Sequence, residues 1–472
     1  MTGRLAAAAA AFLLAACASV PPIDRFLLTQ EREPVRVEGS RGPLTHAQSE
    51  QVLADLKKRA PETSVLDRHL AVEEALTKTQ LSVGNRATTL EDGRATYAAM
   101  LAAIKAARQH VHMEMYIFED DEVGREFASA MAERVRAGVR VRLIYDAVGS
   151  LATPKEFFKE LTDAGIQVVE FSPVKGTIPD LMRIQNRDHR KLVIVDGRVA
   201  FLGGINISGV YGTARPGSGG GSYGGSASRS GASGDDRDPP FEQRPWRDLQ
   251  VRLEGPVVGD LQRAFAQQWE RGKKEPLQEA SLYPKLDPAG PHVVRAIATS
   301  PEDGNNAAYV ALISAIEAAE TEVLIVNAYF VPHPQLLESL KAAARRGVSV
   351  RLMLPSRSDN AVVHHAGRSY YEELLGAGVR IHERKSRLLH SKSAVVDGVW
   401  STVGSTNLDW RSLAYNYELN AVILGTDFAD RMKAVFARDL ADSEEITAEK
   451  WAARPLKDRF KEVAARAWAQ LL

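Results

Sequence analysis

From Gly84 onward the apolar positions of the chain switch between a helical and an extended period, and the switching itself recurs. Tyr97, Leu101 and Ile104 share one face of a helix that opens at Glu91-Asp92-Gly93, and the apolar run Val111 to Phe118 then predicts a strand. From about Ala298 the same order returns: Glu302-Asp303-Gly304, a face of Tyr309, Leu312 and Ile316, then a strand Glu322 to Phe330. A helix ending at Arg136-Ala137-Gly138 and a strand Val139 to Tyr145 match Arg345-Arg346-Gly347 and Val348 to Leu354. Phe157 to Leu161 with Ala164-Gly165-Ile166 match Tyr370 to Leu374 with Ala377-Gly378-Val379. The pattern is an internal duplication of a unit about two hundred residues long, too long for a solenoid repeat. Strands alternating with helices predict an α/β fold, each copy a mixed β-sheet flanked by helices, the two copies related by a pseudo-twofold axis. The boundaries fall at 84–280 for the first copy and 290–445 for the second.

The flanking segments read differently. Residues 18–83 are polar, with Thr45 to Gln80 largely helical and carrying no chemical motif. Residues 446–472 predict an amphipathic helix with Leu456, Phe460, Val463, Ala467 and Leu471 on one face and Lys457, Lys461 and Arg466 off it. That face is suited either to the protein body or to a lipid interface. Within the first copy, 211–244 is rich in glycine and serine and has no apolar periodicity, so a disordered insert is expected, with a lid beside the site as the functional alternative.

Lysine plus arginine balances aspartate plus glutamate at 60 each, so the molecule as a whole has no bias toward nucleic acid. Any attraction for phosphate must then be local, and Arg183, Arg187 and Arg190 beside one motif and Arg380, Arg384, Lys385 and Arg387 beside the other suggest a positive cleft. At the N-terminus, Arg4 and the apolar run Leu5 to Ala16 read as a secretion signal, too short to span a bilayer. Leu14-Ala15-Ala16-Cys17 resembles a bacterial lipobox, which implies residues 1–17 as a lipoprotein signal and acylation of Cys17. Ala18 and Ser19 then suggest sorting to the outer membrane, with the protein facing the periplasm. Cys17 is the sole cysteine, so the chain has no internal disulfide and no thiolate metal site is expected.

Each copy ends in one constellation. The first reads His189-Arg190-Lys191, Asp196-Gly197 and Gly203-Gly204-Ile205-Asn206; the second reads His390-Ser391-Lys392, Asp397-Gly398 and Gly404-Ser405-Thr406-Asn407. Leu192 to Val195 and Ala394 to Val396 predict strands, so His and Lys two positions apart project from one face. Each Asp-Gly pair predicts a tight turn, after which a returning strand brings Asn beside His and Lys. A phosphodiester needs fixed positive charge and donors at its oxygens, a nucleophile in line, and a proton for the leaving oxygen. Lys191 and Lys392, with Asn206, Ser405 and Asn407, suit the first task, and His189 and His390 divide the others.

These motifs resemble the phospholipase D superfamily signature. Further stretches, GSTNLDWRSLAYNYELN from Gly404, YIFEDDEVG from Tyr116, NAYF from Asn327 and Arg368 to Tyr371, resemble its bacterial cardiolipin synthase branch. The resemblance implies a metal-independent phosphatidyltransferase that needs no cofactor and passes through a phosphohistidine. Its substrates would be phosphatidylglycerol, with phosphatidylethanolamine as a second candidate, at a membrane surface and without nucleic acid. Analogy with two-motif members favours His189 as nucleophile and His390 as acid/base, an order the sequence itself leaves open. It also implies a carboxylate on each histidine's other nitrogen: Glu418 at the family position in the second copy, Asp248 as its counterpart in the first. Asp196 and Asp397 enter the catalytic set by the same resemblance, although turn geometry alone selects Asp-Gly. Gly204 stands where the second copy has Ser405, so the halves are chemically unequal. A phospholipase D-type hydrolase of phospholipids or another phosphodiester is the alternative; absence of aromatic-basic stacking patches argues against a nuclease.

Overall fold

The computed structural model describes residues 35–77, 79–173, 185–212, 241–303 and 306–467. Cys17, Arg183, Leu471 and most of the glycine-serine segment lie outside these residues. Two short strands, β1 (Val37–Gly39) and β2 (Gly42–Pro43), precede the duplicated body.

The first copy supplies β3 (Leu81–Glu91), β4 (His110–Met115), β5 (Arg140–Asp146), β6 (Gln167–Phe171), β7 (Arg187–Asp188), β8 (Lys191–Val195), β9 (Val199–Gly203) and β10 (Leu249–Glu254). Its sheet runs β3-β10-β9-β8-β4-β5-β6, with β4, β5 and β6 parallel and the other neighbours antiparallel. The second copy supplies β11 (His292–Thr299), β12 (Glu322–Asn327), β13 (Ser349–Pro355), β14 (Arg380–Arg384), β15 (Lys392–Val396), β16 (Trp400–Gly404), β17 (Asn416–Leu424) and β18 (Ser443–Ile446). The order repeats as β11-β17-β16-β15-β12-β13-β14, and β18 adds an antiparallel edge. Register repeats as well: Met115 lies opposite Lys191, and Asn327 opposite Lys392.

Long β3 joins the sheets, because Arg86–Glu91 pairs with β10 while Ser82 and Asn85 pair with β11. Between the sheets lies a shared apolar layer. Leu192, Leu202 and Val251 meet Leu324, Val395 and Ile423 there, together with Phe265 of helix Val257–Lys273 and Phe428 of helix Thr426–Ala441. Burial of this layer depends on both copies being present, so hydrophobic stabilisation couples them. The outer helices are set by local signals: Asp121 caps Glu122–Arg136 by accepting from Gly124 N at 2.8 Å, and Asn306 caps Ala307–Ala318 through Tyr309 N at 3.0 Å.

The N-terminal segment is helical as expected, at His46–Arg59 and Val65–Thr77, and it packs on the second copy. Buried Glu73 receives Trp400 Nε1 at 3.2 Å and sits 2.6 Å from His69 Nε2 and 3.3 Å from Arg295. Against the upward pull of burial, Arg295 and His69 hold its pKa down at about 2. Two expectations need correction. The insert is not disordered throughout 211–244, since Tyr211 is fully buried and Phe241–Gln243 forms a short 3-10 turn. The single helix expected over 446–472 is broken into Ala448–Ala452 and Leu456–Arg466, the second of which turns Glu462 and Ala465 toward the body while Leu456, Phe460 and Val463 face outward. Among the described residues no helix is long and apolar enough to cross a membrane.

Candidate active site

Both histidines sit where one copy's motif enters the other copy's sheet. Arg187 and Asp188 of β7 run parallel to Asn416 and Tyr417 of β17, and His189 N donates to Tyr417 O at 3.0 Å. The mirror arrangement bridges Leu389 to Arg247, and His390 N donates to Arg247 O at 2.7 Å. The next residue in each partner strand is the carboxylate. Glu418 therefore reaches His189 Nδ1, with both oxygens at 3.1 Å, and Asp248 reaches His390 Nδ1 at 2.8 Å. The sequence led to one such carboxylate in each copy; in the structure each serves the histidine of the other copy.

Both carboxylates are fully buried. Glu418 also accepts from the hydroxyls of Ser405 and Ser412 and from Asn416 Nδ2, while Asp248 accepts from Leu249 N at 2.7 Å. Burial would raise their pKa values, but the histidines and lysines beside them hold both below the usual range. Ionised partners at Nδ1 fix each ring with Nδ1 protonated and Nε2 available for chemistry.

Burial lowers His189 to about 4, a pull that Glu418 opposes and Lys191 reinforces. His390 is lowered by burial and by Lys392, against Asp248. Burial also drives Lys191 down to about 7 and Lys392 to about 8, both partly restored by carboxylates. Each lysine folds back on its own motif, donating to His189 O and His390 O respectively. Burial thus disfavours positive charge on both lysines, and an anion entering between them would return their protons.

Aromatic rings line the site unequally. Tyr116 stands edge-on to His189 at 4.9 Å, whereas Tyr211, Trp246 and Tyr329 surround His390 at 5.8, 5.3 and 6.0 Å. The Tyr211 hydroxyl lies 3.1 Å from His390 Nδ1 and receives Asn206 Nδ2 at 3.2 Å. Sequence reasoning assigned none of these four a role. Tyr116 and Tyr329 stood inside quoted stretches, Trp246 lies two residues before Asp248, and Tyr211 was hidden by the low-complexity sequence that follows it.

Asp196 and Asp397 are not in the site. Both adopt left-handed φ, 53° and 49°, at the far ends of β8 and β15, about 16 Å from the lysines at the usual rise per residue. Asp196 accepts from the backbone of Arg108, Gln109 and His110, and Asp397 from that of Glu320, Thr321 and Glu322 and from Thr63 Oγ1. They tie the hairpin turn to the neighbouring strand. Ser405 is likewise reassigned, because its hydroxyl holds Glu418 and receives Leu419 N at 3.0 Å. A side chain on Gly204 would begin 2.3 Å from Asp248 Oδ1, which accounts for glycine there. Asn206 is buried with its oxygen on Ile117 N, and Asn407 keeps a buried side-chain oxygen without a partner among the described residues.

The arginines expected to charge the cleft are largely engaged elsewhere. Arg187 pairs with Asp146 and Ser172, Arg190 with Glu114, Arg380 with Glu445, Arg384 with Asp439 and Asp442, Lys385 with Glu444, and Arg387 with Asp92. Among the described residues, positive charge at the reaction centre rests on the two lysines.

Residues 100–210 and 312–440 match the family model described as cardiolipin synthase, PLD-like domain. The chain is 34% identical to a cardiolipin synthase of Alkalihalophilus pseudofirmus over 84% of this chain and 74% of that protein. It is also 34% identical to cardiolipin synthase 2 of Bacillus anthracis, over 83% and 72%. Among solved structures, a phosphatidylserine synthase of Haemophilus influenzae superposes with a TM-score of 0.59 at 11% identity, covering 84% of this chain and 96% of that one, a likeness of fold.

Proposed function

Since this chain belongs to the cardiolipin synthase family of phospholipase D-like proteins, we propose that it is a phosphatidyltransferase acting through a phosphohistidine. One observation carries the chemistry: two histidines, each braced at Nδ1 by a buried carboxylate, beside two buried lysines. His189 Nε2 attacks the phosphorus of phosphatidylglycerol, the bond to the headgroup glycerol oxygen breaks, and His390 Nε2 gives that oxygen its proton. Lys191 and Lys392 hold the non-bridging oxygens, and Glu418 balances the positive ring of phosphorylated His189. Neutral His390 then takes the proton from a headgroup hydroxyl of a second phosphatidylglycerol. That oxygen displaces His189 from phosphorus, giving diphosphatidylglycerol.

The substrate's negative charge restores protons that burial has displaced from His390 and the lysines, so the acid is formed on binding. The assignment of His189 as nucleophile follows the family analogy. Acylated Cys17 would tether the enzyme in the bacterial envelope, facing the periplasm, where it meets headgroup hydroxyls at high effective concentration. Phosphatidylethanolamine is a second candidate phosphatidyl donor. Supplying phosphatidylglycerol in vesicles and identifying products by mass spectrometry tests the reading. Diphosphatidylglycerol is expected; phosphatidic acid as the main product at every lipid density would make the protein a hydrolase.

A further inference from the structure

Among the described residues six large apolar side chains are well exposed: Leu151, Tyr283, Val362, Leu456, Phe460 and Val463. Scattered singly, such residues need no explanation. Four of them, however, lie on two helices packed side by side, Ala361–Arg368 and Leu456–Arg466. Leu456, Phe460 and Val463 are 78%, 78% and 71% exposed, and their spacing places them on one face.

Charge on the same helix is one-sided at its surface. Lys457 and Arg459 are exposed and have no acidic partner among the described residues. Lys461 is exposed 3.7 Å from Asp458, while Glu462 is buried against Arg454 at 2.9 Å. Cations therefore flank the outward apolar face, which suits an anionic lipid interface.

Position points the same way. Arg368 lies 3.8 Å from Glu462, and Arg466 donates to Ser369 O at 3.3 Å, so the helices run in the same direction. Going back along both from Arg368 and Glu462 by the same step puts Leu456 at the end that carries Val362. Immediately before that end is Asp359, which receives the hydroxyl of Tyr329, whose ring stands 6.0 Å from His390. The exposed apolar face thus begins at the rim of the reaction centre.

We propose that Leu456, Phe460 and Val463, extended by Val362, dock the enzyme on an anionic phospholipid surface. Lys457, Arg459 and Lys461 would lie among the lipid phosphates, and the His390 side of the site would face the headgroups. This inference rests on the reading of the chain as a lipid phosphatidyltransferase.

The test uses the chain from residue 18 onward, so that neither the apolar signal nor an acyl chain contributes, and sedimentation with vesicles of equal phosphatidylglycerol and phosphatidylcholine. The combined variant Leu456→Ser, Phe460→Ser, Val463→Ser should lose about tenfold in partitioning or more. Lys457→Glu with Arg459→Glu should lose binding to these vesicles but not to neutral phosphatidylcholine, and high salt should weaken the parent alike. Unchanged partitioning in both variants overturns the proposal. So does conversion of a dimer to a monomer by the serine variant in light scattering, which would make a second copy the occupant. Activity on phosphatidylglycerol dispersed in detergent should survive in both variants. Its absence in the parent would instead defeat the functional reading and leave the docking result standing.

Discussion

Replacing Glu418 with Gln tests the crossed bracing most directly. The carboxylate contacts His189 Nδ1 at 3.1 Å through both oxygens and accepts from Ser405, Ser412 and Asn416. Gln keeps the shape but removes the charge and presents an NH2 group to donors, so at least one contact must break. A hydrogen bond to a charged group contributes about 1.5–3 kcal/mol. At 1.36 kcal/mol per pKa unit, His189 should fall a further 1–2 units or so below its value of about 4. With the tautomer no longer fixed and the phosphorylated ring uncompensated, kcat should drop roughly a thousandfold, within the range for acid-base residues. KM should move little, since the lysines remain. Imidazole NMR titration of E418Q and D248N, each beside steady-state kinetics, provides the assay. E418Q should shift His189 and leave His390 nearly unchanged, and D248N the reverse. If E418Q shifts His390 instead, each carboxylate serves its own copy and the reasoning fails.

Three more outcomes follow from the same geometry. Asp397→Asn should cost about 2–3 kcal/mol of stability, read by denaturant unfolding, by disturbing bonds to Glu320, Thr321, Glu322 and Thr63, while activity per folded molecule stays constant. Gly204→Ala should lower kcat about a hundredfold or more, because its Cβ would start 2.3 Å from Asp248 Oδ1 and displace the brace of His390; Ser405→Ala, which only loses bonds to Glu418 and Leu419, should be milder in the same assay. The kcat/KM profile on anionic lipid should fall as pH rises through about 7 and then 8, where Lys191 and Lys392 of the free enzyme lose their protons, and fall on the acid side near 4, where His189 gains one.

The succession of helices and strands in each copy was legible because the chain states it twice: whatever is ambiguous in the apolar run before Phe118 is resolved by its counterpart before Phe330. The histidines and lysines were legible for the same reason. What stayed hidden was anything set by pairing across the copies. β17 is buried on both faces, so no periodicity shows that Tyr417 lies beside Asp188 or gives Glu418 to His189. Asp196 and Asp397 show the opposite failure. Their place in the signature suggested chemistry, whereas a left-handed turn that must satisfy the backbone of the adjacent strand explains them fully. Tyr211 was lost because composition is an average over a window, and one ordered residue at the edge of a glycine-serine run does not alter it.

The crossed carboxylates also govern when the enzyme becomes competent. His189 lies 229 positions before Glu418, so that contact closes only once β17 has emerged and docked, whereas His390 lies 142 after Asp248 and can meet it earlier. Contacts of such long range form late in folding. A chain still being synthesised therefore carries an unarmed first motif, and a truncated product that lacks β17 leaves His189 without its carboxylate.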